Sequence, residues 1–515
     1  MSEKKKNPVG AISLVMIITL AGKVLGLLRD RLLTVNYGSG MATNAFLTAS
    51  RIPRVFFDAV FASAIAASFI PVFNDIYTKE GKEPAFKFSS NFISVIGLFT
   101  AVLSILGMVF TEPLATFFAD GYDAETMALC VELTRILFPT VLFTGLAYSF
   151  VGILQSMGKF NIPALISVIS NGIIIVYYFT LNGKFGIFGL AVAFLVGWFM
   201  QAAVQVPSLA RLGYSYRPDF RILSPEMKKV FVLMLPVMVS TWVQPINLTI
   251  NTKFGSHLFN GSGVSAIELA NNLYTIIASV FVLSVMNVIF PKLSKLNAEN
   301  NTDSFKDTVS GTMHTTMYFI MPMTGGLMAL SSQIVSFIYG GGEFDAFSIN
   351  ITSRALFYMT IGMAGYAAST VLSRAFFARQ DGKTPLIAGV ASIASNILLC
   401  ILLVDKYDVA GLALAAAISG TVNAAILAIP LQKKGIGFVN KAFVIDFIKI
   451  TVASAIMAVG VWFLGDILSN MFTGKLGVLI SICLPALAGV IVYIAITALL
   501  RLSEVKMMVS FIKKK

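Results

Sequence analysis

Long apolar stretches separated by short polar ones recur from one end of the chain to the other. Most of them exceed the roughly 20 residues that a helix needs to cross about 30 Å of hydrocarbon. We therefore predict an all-α membrane protein with fourteen transmembrane helices, several of which are long enough to tilt. The predicted helices span residues 9–35, 43–75, 86–111, 125–155, 161–181, 186–210, 226–257, 264–294, 305–333, 347–377, 384–404, 408–432, 443–466 and 477–501.

Composition strengthens this prediction. Hydrophobic residues make up 57% of the chain, charged residues only 12%, and the mean hydropathy is +0.83. A soluble protein carries about 25% charged residues, so the soluble class is excluded. The basic start Lys4–Lys6 and the apolar run after it resemble a signal peptide. No small-residue cleavage site closes that run, and we interpret it as a retained first transmembrane helix.

Lysine and arginine are segregated between alternate loops. Loops on the side of the two termini carry 25 of them, whereas the opposite loops carry three, Lys184, Lys406 and Lys475. The positive-inside rule then places both termini in the cytoplasm, as expected for a multi-pass protein of a bacterial inner membrane. The same asymmetry accounts for much of the net charge of +13, so the basic balance requires no nucleic-acid partner.

The second half of the chain repeats the first at a nearly constant offset. Lys184–Ala193 matches Lys406–Ala415 without a gap, and other short matches follow in the same order. Helices 1–6 therefore correspond to helices 7–12. Each repeat has an even number of helices, so we expect two pseudo-symmetric six-helix lobes related by an axis along the membrane normal, the layout of a transporter. We predict an N-lobe at 1–222, a C-lobe at 223–436, and helices 13–14 with a basic tail at 437–515.

Charged residues inside the membrane are concentrated in the first two predicted helices. A buried charge costs about 2.5–3.5 kcal/mol on insertion scales, so a cluster of them needs a reason. The second helix has one polar stripe, in which Asn44, Arg51, Arg54 and Asp58 are spaced by whole turns. The charged residues of the two helices comprise five cations and two carboxylates: Lys23, Arg29, Arg31, Arg51, Arg54, Asp30 and Asp58.

Two interpretations of this cluster stay open at this point. Internal ion pairs, such as Arg29 with Asp58 or Arg54 with Asp30, would neutralise part of the charge. The surplus of cations would remain, and an anionic substrate in a water-filled cleft would neutralise it. Arginine suits such a role because its planar guanidinium grips phosphate through two parallel hydrogen bonds.

The second lobe carries amides where the first carries charge. The seventh predicted helix contains Asn251 and Lys253, and the eighth contains Asn271 and Asn272. Pro245 should kink or break the seventh helix, because proline removes a backbone donor and clashes with the preceding turn. The freed carbonyls would then coordinate an ion or permit bending, or the kink would serve packing alone.

No sequence signal points to an enzyme. The three cysteines and the two histidines, His257 and His314, are isolated and form no metal-ligand spacing. The chain has no Walker motif, and no paired carboxylates suited to catalysis lie inside the apolar segments. We expect no metal and no cofactor, and any driving force must come from the membrane potential or an ion gradient, Na⁺ or H⁺.

Several segments resemble the MurJ/MviN family, lipid II flippases of the multidrug/oligosaccharidyl-lipid/polysaccharide exporter (MOP) superfamily. The resemblance covers essentially all fourteen predicted helices. It implies two six-helix lobes around a cationic cavity, a groove for the lipid tail along helices 13–14, and a role in peptidoglycan biosynthesis and cell shape. The segments that carry it are Val24–Asp30, Tyr37–Phe46, Ser68–Pro71 and Phe376–Pro385.

The resemblance also implies roles for individual residues. Arg29 and Asp30 match a central pair of the family's first helix. Lys23 stands where the family usually has arginine, and Asn44 stands where an aspartate is common. Two departures concern arginines of the family that align with Phe57 and Asn272 here, which shifts the cationic charge toward the first lobe.

The combined expectation is a flippase that works by alternating access. Lipid II would pass from the cytoplasmic to the outer leaflet with its pyrophosphate on the substrate-binding residues. An alternative cargo is another undecaprenyl-pyrophosphate-linked glycan, and a less favoured alternative is a cation-coupled multidrug antiporter, which should display unpaired membrane carboxylates. The predicted substrate-binding residues are Lys23, Arg29, Asp30, Asn44, Arg51, Arg54, Asp58, Asn251 and Asn272.

Overall fold

Helices account for almost all of the regular structure in the computed structural model, which describes residues 8–433, 435–472, 474–502 and 504–505. Those residues form no β-strand, and a single isolated bridge joins Gly341 and Phe344. The helices are Pro8–Tyr37 (α1), Met41–Glu80 (α2), Lys82–Val109 (α3), Thr111–Ala119 (α4), Ala124–Leu137 (α5), Thr140–Ser156 (α6), Asn161–Thr180 (α7), Asn182–Ala203 (α8), Val206–Arg211 (α9), Pro225–Thr241 (α10), Val243–Ser256 (α11), Ser262–Ala298 (α12), Thr302–Ala329 (α13), Ser331–Tyr339 (α14), Ala346–Thr360 (α15), Met363–Ala378 (α16), Lys383–Lys433 (α17), Lys441–Met471 (α18) and Gly474–Leu499 (α19).

Each predicted helix overlaps one or two observed helices, but the eleventh and twelfth predicted helices are not separate, because both lie in α17, which bends at Asp408. The seventh predicted helix is interrupted at Trp242, between α10 and α11, because Pro245 has no N–H to donate to the turn before it. This confirms the predicted effect of Pro245. Two short helices were not predicted: α4 follows α3, and α14 follows α13 after a bend of 71°. Both lie in apolar sequence that continues from a long helix, so hydropathy gave no sign of the bend.

The all-α membrane class is confirmed, but the number of spans is not. By length and composition, seven helices of the described chain are able to cross a membrane, or up to nine if each of two bent pairs counts as one span. The count of fourteen therefore stays a prediction.

The backbone repeats itself in the same way as the sequence. Left-handed backbone conformations occur in pairs whose members differ in residue number by one constant offset: Gly38 and Asn260, Gly158 and Gln380, Gly186 and Asp408, Gly213 and Gly435. Two helix starts follow the same offset, since Asp123 accepts a hydrogen bond from the Thr126 N–H and Asp345 accepts one from the Ser348 N–H, both at 2.8 Å. Turns and caps of the two halves therefore occupy equivalent positions.

The described residues fall into two compact units that divide between Gly261 and Ser262. The first unit includes α10 and α11, although the repeat assigns these helices to the second half of the sequence. The three-part division of the chain at 222 and 436 stays a prediction, because compactness and sequence repetition are different criteria.

Aromatic packing forms the core of the first unit. Phe69 of α2 is fully buried, and its ring stacks on Phe88 of α3 at 5.3 Å and contacts Phe92 at 4.7 Å. Gly152 of α6 makes this packing possible, because a Cβ there would lie only 2.7 Å from the Phe69 ring. Helices α2, α3 and α6 are thus held at a fixed separation.

A strap of extended chain, residues 213–224, runs from the end of α9 to the start of α10 along α3. The buried Asn91 amide of α3 donates to the Asp219 carbonyl at 2.8 Å and to the Arg221 carbonyl at 3.2 Å. Its carbonyl oxygen accepts from Ser224, whose hydroxyl also caps α10. The strap thereby anchors the first turn of α10 to the first unit.

In the second unit, α18 and α19 pack on α13. The Tyr493 hydroxyl donates to the Tyr318 carbonyl at 2.6 Å, and the Tyr318 hydroxyl lies 3.1 Å from the Thr497 hydroxyl. Leu330, Ile450 and other buried residues surround these tyrosines. The two helices outside the repeat are therefore joined to the second unit by a buried core.

Candidate functional site

Arg29 contacts three neighbouring side chains. Its Nε and Nη2 atoms donate to Oδ1 of the adjacent Asp30, at 3.0 and 2.7 Å. Its Nη1 atom donates to Oδ1 of Asn171 on α7, at 3.1 Å. The guanidinium carbon lies 5.3 Å from the centre of the Phe194 ring on α8, within the range of cation–π attraction. These three neighbours, which we call the Arg29 collar, fix the orientation of the guanidinium.

Close packing of α1 on α7 brings the collar together. A Cβ at Gly22 would lie 3.1 Å from the Ser167 hydroxyl, so the two helix backbones approach where α1 has no side chain. The Asn171 amide also donates to the Gly22 carbonyl at 3.2 Å. One amide therefore links the backbone of α1 to the Arg29 side chain. Asn171 was not among the predicted site residues, because it lies in an otherwise apolar helix far along the chain from Arg29.

Asp30 is 8% exposed, so its carboxylate requires a partner inside the protein, and Arg29 supplies one. The sequence left open a pairing of Arg29 with Asp58. The side chains of Asp58 and Phe57 lie outside the described part of the structure. Lys23 is partly buried, and no described residue forms a hydrogen bond or ion pair with its ammonium group.

The predicted polar stripe of α2 is divided between two environments. Asn44 is fully buried and donates to the Ser39 carbonyl at 2.8 Å. Arg51 is 8% exposed and donates through Nη1 to the Leu248 carbonyl at 3.0 Å and to the Thr252 hydroxyl at 2.9 Å. Arg54, in contrast, is exposed. Arg51 thus links α2 to α11, while Arg54 faces outward from the helix.

The predicted amides lie in different units. Asn251 of α11 is 2% exposed and belongs to the first unit. Its position in the second repeat is equivalent to that of Arg29 in the first, by the offset that relates Gly38 to Asn260. Asn272 of α12 is partly buried and belongs to the second unit.

A second polar cluster lies at the end of α11. Oδ2 of Asp120 lies 2.8 Å from the Lys253 ammonium, and Oδ1 lies 3.0 Å from Nε2 of His257. Burial alone would raise the pKa of the Asp120 carboxyl, but the hydrogen bonds from Lys253 and His257 and their charge lower the pKa below its ordinary value. We call these three side chains the α11 end cluster.

This cluster was not predicted, since His257 was treated as isolated and Asp120 as a loop acid. One signal was available. Lys253, Ser256 and His257 lie at i, i+3 and i+4, so they share a face of one helix. The partner across from that face was not deducible from spacing.

Arg354 of the second unit also has a structural partner. Its Nη2 atom lies 3.1 Å from Asp408, the residue whose left-handed backbone bends α17. In the described part of the chain, no three histidine, cysteine or acidic side chains are grouped as metal ligands.

The chain has relatives over nearly its whole length. The family model described as "Lipid II flippase MurJ" matches residues 35–482. A probable lipid II flippase MurJ of Thermotoga maritima is 28% identical over 491 residues, which cover 95% of this chain and 96% of that protein. The lipid II flippase MurJ of Burkholderia cenocepacia is 26% identical over 448 residues, which cover 85% of this chain and 87% of that protein.

Solved structures share the fold. A lipid II flippase MurJ in an inward closed conformation superposes with a TM-score of 0.78 at 28% identity, covering 95% of this chain and 98% of that one. An inward-facing MATE family transporter of the MOP superfamily superposes with a TM-score of 0.69, covering 82% of this chain and 98% of that one. Because its identity is only 16%, that likeness shows the fold alone.

Proposed function

Because the chain belongs to the lipid II flippase MurJ family, we propose that it carries lipid II from the cytoplasmic to the outer leaflet of a bacterial inner membrane. The observation that carries this proposal is the family match over residues 35–482. The relatives named lipid II flippase MurJ are matched over most of their own length, so the comparison concerns whole proteins. The function is transport rather than catalysis.

The Arg29 collar supports an anion site in this transporter. The pyrophosphate of the substrate would meet Arg29, whose guanidinium is already oriented by Asn171 and Phe194. Preorganisation of this kind lowers the entropic cost of binding. Lys23 would add a second cation from the same helix, and Arg54 a third from α2. Asp30 offsets one of these three positive charges.

The same proposal includes orientation and energy source. Both termini lie in the cytoplasm, so the strap faces the cytoplasm and the α11 end cluster faces outward. An inside-negative membrane potential of 100 mV would favour export of an anion by about 2.3 kcal/mol per charge. Coupling to Na⁺ or H⁺ is a further part of the proposal, and alternating access is the mechanism.

The proposal is tested in a bacterium that expresses this gene in addition to its own flippase, by depleting its own flippase. We expect survival together with normal lipid II exposure, measured by cleavage of lipid II with an enzyme added outside the cells. The double variant Arg29→Ala/Arg54→Ala should fail. Lys79→Ala removes a cation from an exposed ion pair with Asp75 and serves as the matched control. Unchanged export by the double variant would refute the anion site.

A second candidate cargo is another undecaprenyl-pyrophosphate-linked glycan. It is favoured by Phe57 and Asn272, which stand where the resemblance implies arginines. In the depletion experiment, restored surface glycan without lipid II exposure would support this cargo. The antiporter alternative is less favoured, because the Asp30 carboxylate lies 2.7 Å from Arg29 and is not available to a cationic drug.

A further inference from the structure

Three contacts hold the end of α11 against the turn between α4 and α5. Asp120 pairs with Lys253 at 2.8 Å and with His257 at 3.0 Å. The Gly121 N–H donates to the Ser256 hydroxyl at 3.1 Å. Lys253 also approaches the ring and the carbonyl of Phe117 in α4. Lys253, Ser256 and His257 are therefore all engaged by one short segment.

The backbones meet at Gly121 without a side chain between them. A Cβ at this position would lie 2.6 Å from the backbone nitrogen of His257 and 2.7 Å from its ring Nδ1. Real Cβ atoms do not approach other heavy atoms this closely, so a larger residue would force α11 away from the turn. The close approach of α11 to the turn thus depends on glycine at position 121.

We propose that Asp120, Lys253 and His257 form an outer latch, whose release allows the transporter to open outward. This inference rests on the proposed alternating-access function and orientation. The repeat places the 120–123 turn in the first half and α11 in the second, because the paired positive-φ positions share one offset. We infer that relative motion of the two repeats in that mechanism separates α11 from the turn.

The exposure of the latch suits a contact that breaks and re-forms in each cycle. The side chains of Asp120, Lys253 and His257 are 38%, 41% and 55% exposed, so water competes with each of their contacts. Such pairs are weak. A fully buried pair would leave an unsolvated charge on separation and would resist opening.

Arg51 forms a second tie deeper along the same helix. It reaches Thr252, one turn before Ser256, and it is 8% exposed. Release of the latch would admit water toward this buried guanidinium and so lower the cost of breaking its hydrogen bonds. The latch and the Arg51 tie would then open in order from the outside inward.

A reporter thiol beneath the latch tests the proposal without reference to lipid II. Thr48 is fully buried, and its hydroxyl lies 2.7 Å from that of Tyr122, which follows Gly121. Thr48→Cys is introduced in a Cys483→Ser background, since Cys483 is exposed and the other two cysteines, Cys130 and Cys400, are buried. The measurement is the rate of labelling in intact cells by a membrane-impermeant maleimide, normalised to the amount of protein in the membrane.

Asp120→Asn should raise the labelling rate roughly three- to tenfold, because it weakens the half-exposed ion pair with Lys253 and the contact with His257. Asp75→Asn is the matched control, since it removes a similar exposed carboxylate from its 2.6 Å pair with Lys79, and it should leave the rate unchanged. The charge exchange Asp120→Lys/Lys253→Asp should return the rate toward that of the parent.

An unchanged rate in Asp120→Asn, with normal protein abundance, would overturn the latch. A charge exchange that labels as fast as the single variant would do the same, because ion pairing would not be the cause. Failure of lipid II export with latch-dependent labelling intact would instead refute the proposed cargo and leave the latch standing.

Discussion

Equivalent positions of the two repeats carry different chemistry on the same backbone plan. In the first repeat, Arg29 lies in a collar formed by Asp30, Asn171 and Phe194. At the equivalent position of the second repeat, Asn251 is buried and uncharged. Duplication therefore preserved turns and caps, while the buried charge was concentrated in one half. A neutral amide at the second position avoids the cost of a second buried cation.

The bends at Gly186 and Asp408 show the same principle in the backbone. The φ and ψ angles are 54° and −145° at Gly186 and 49° and −131° at Asp408, so α8 and α17 bend alike. Glycine adopts this conformation without a steric cost, whereas aspartate carries some strain. Arg354 contacts Asp408 at 3.1 Å and holds it in place. One bend is thus permitted by the absence of a side chain, and the other is stabilised by an ion pair.

The largest expected difference in stability is between alanine variants of Arg29 and Asn251. Arg29→Ala leaves the buried Asp30 carboxylate without this partner and should lower the free energy of unfolding by about 3–5 kcal/mol. Asn251→Ala should cost about 1 kcal/mol. Thermal unfolding of the purified proteins in detergent measures both. Arg29→Ala/Asp30→Ala should recover stability without recovering lipid II export; recovery of export would mean that Arg29 serves only to neutralise Asp30.

The next largest difference is expected between Gly121 and its equivalent in the second repeat, Glu343. Gly121→Ala places a Cβ against His257 and should cost about 1–3 kcal/mol, as overpacking does. Glu343→Ala changes an exposed side chain and should alter stability by less than about 0.5 kcal/mol. Melting temperatures of the two variants provide the measurement. Equal melting temperatures would show that α11 yields to the added methyl group without loss.

A smaller effect is expected at the paired bends. Gly186→Ala forces a Cβ into a left-handed conformation and should cost about 1–2 kcal/mol, although no neighbouring atom obstructs it. Asp408→Gly removes strain and an ion pair together, so we expect a change within about 1 kcal/mol of zero. Unfolding of both variants in the same detergent tests the pair. A large loss in Asp408→Gly would assign the second bend to Arg354 rather than to backbone preference.

The last comparison concerns the segments that follow each repeat, and its readout is a rate of proteolysis. Asn91→Ala removes the hydrogen bonds that hold the strap, worth about 0.5–1.5 kcal/mol each, and should speed tryptic cleavage after Arg221, since the bond after Arg217 precedes Pro218 and resists trypsin. Gln432 makes a similar but exposed bond to the Val439 carbonyl at 2.8 Å. Gln432→Ala should have little effect on tryptic cleavage of the segment between α17 and α18. An equal increase in cleavage rate in the two variants would contradict the inference that the buried bonds of Asn91 contribute more than the exposed bond of Gln432.

The sequence by itself determined the helical class, the approximate helix bounds, the internal repeat and the break near Pro245. These features depend on hydropathy and backbone preference, which are local properties. The short helices α4 and α14 escaped prediction because their apolar sequence continues that of α3 and α13. Likewise, hydropathy identified Arg29 and Arg51 as costly residues without identifying their partners.

Only the tertiary structure decided which side chains meet. Asn171 of α7 reaches Arg29 of α1, and His257 at the end of α11 reaches Asp120. The same packing divided the α2 stripe, burying Arg51 against α11 and leaving Arg54 exposed. The physical reason is that periodicity states which residues share a helix face. The neighbour of that face depends on how helices rotate and pack, as at Gly22 and Gly121, where a missing Cβ lets two segments approach.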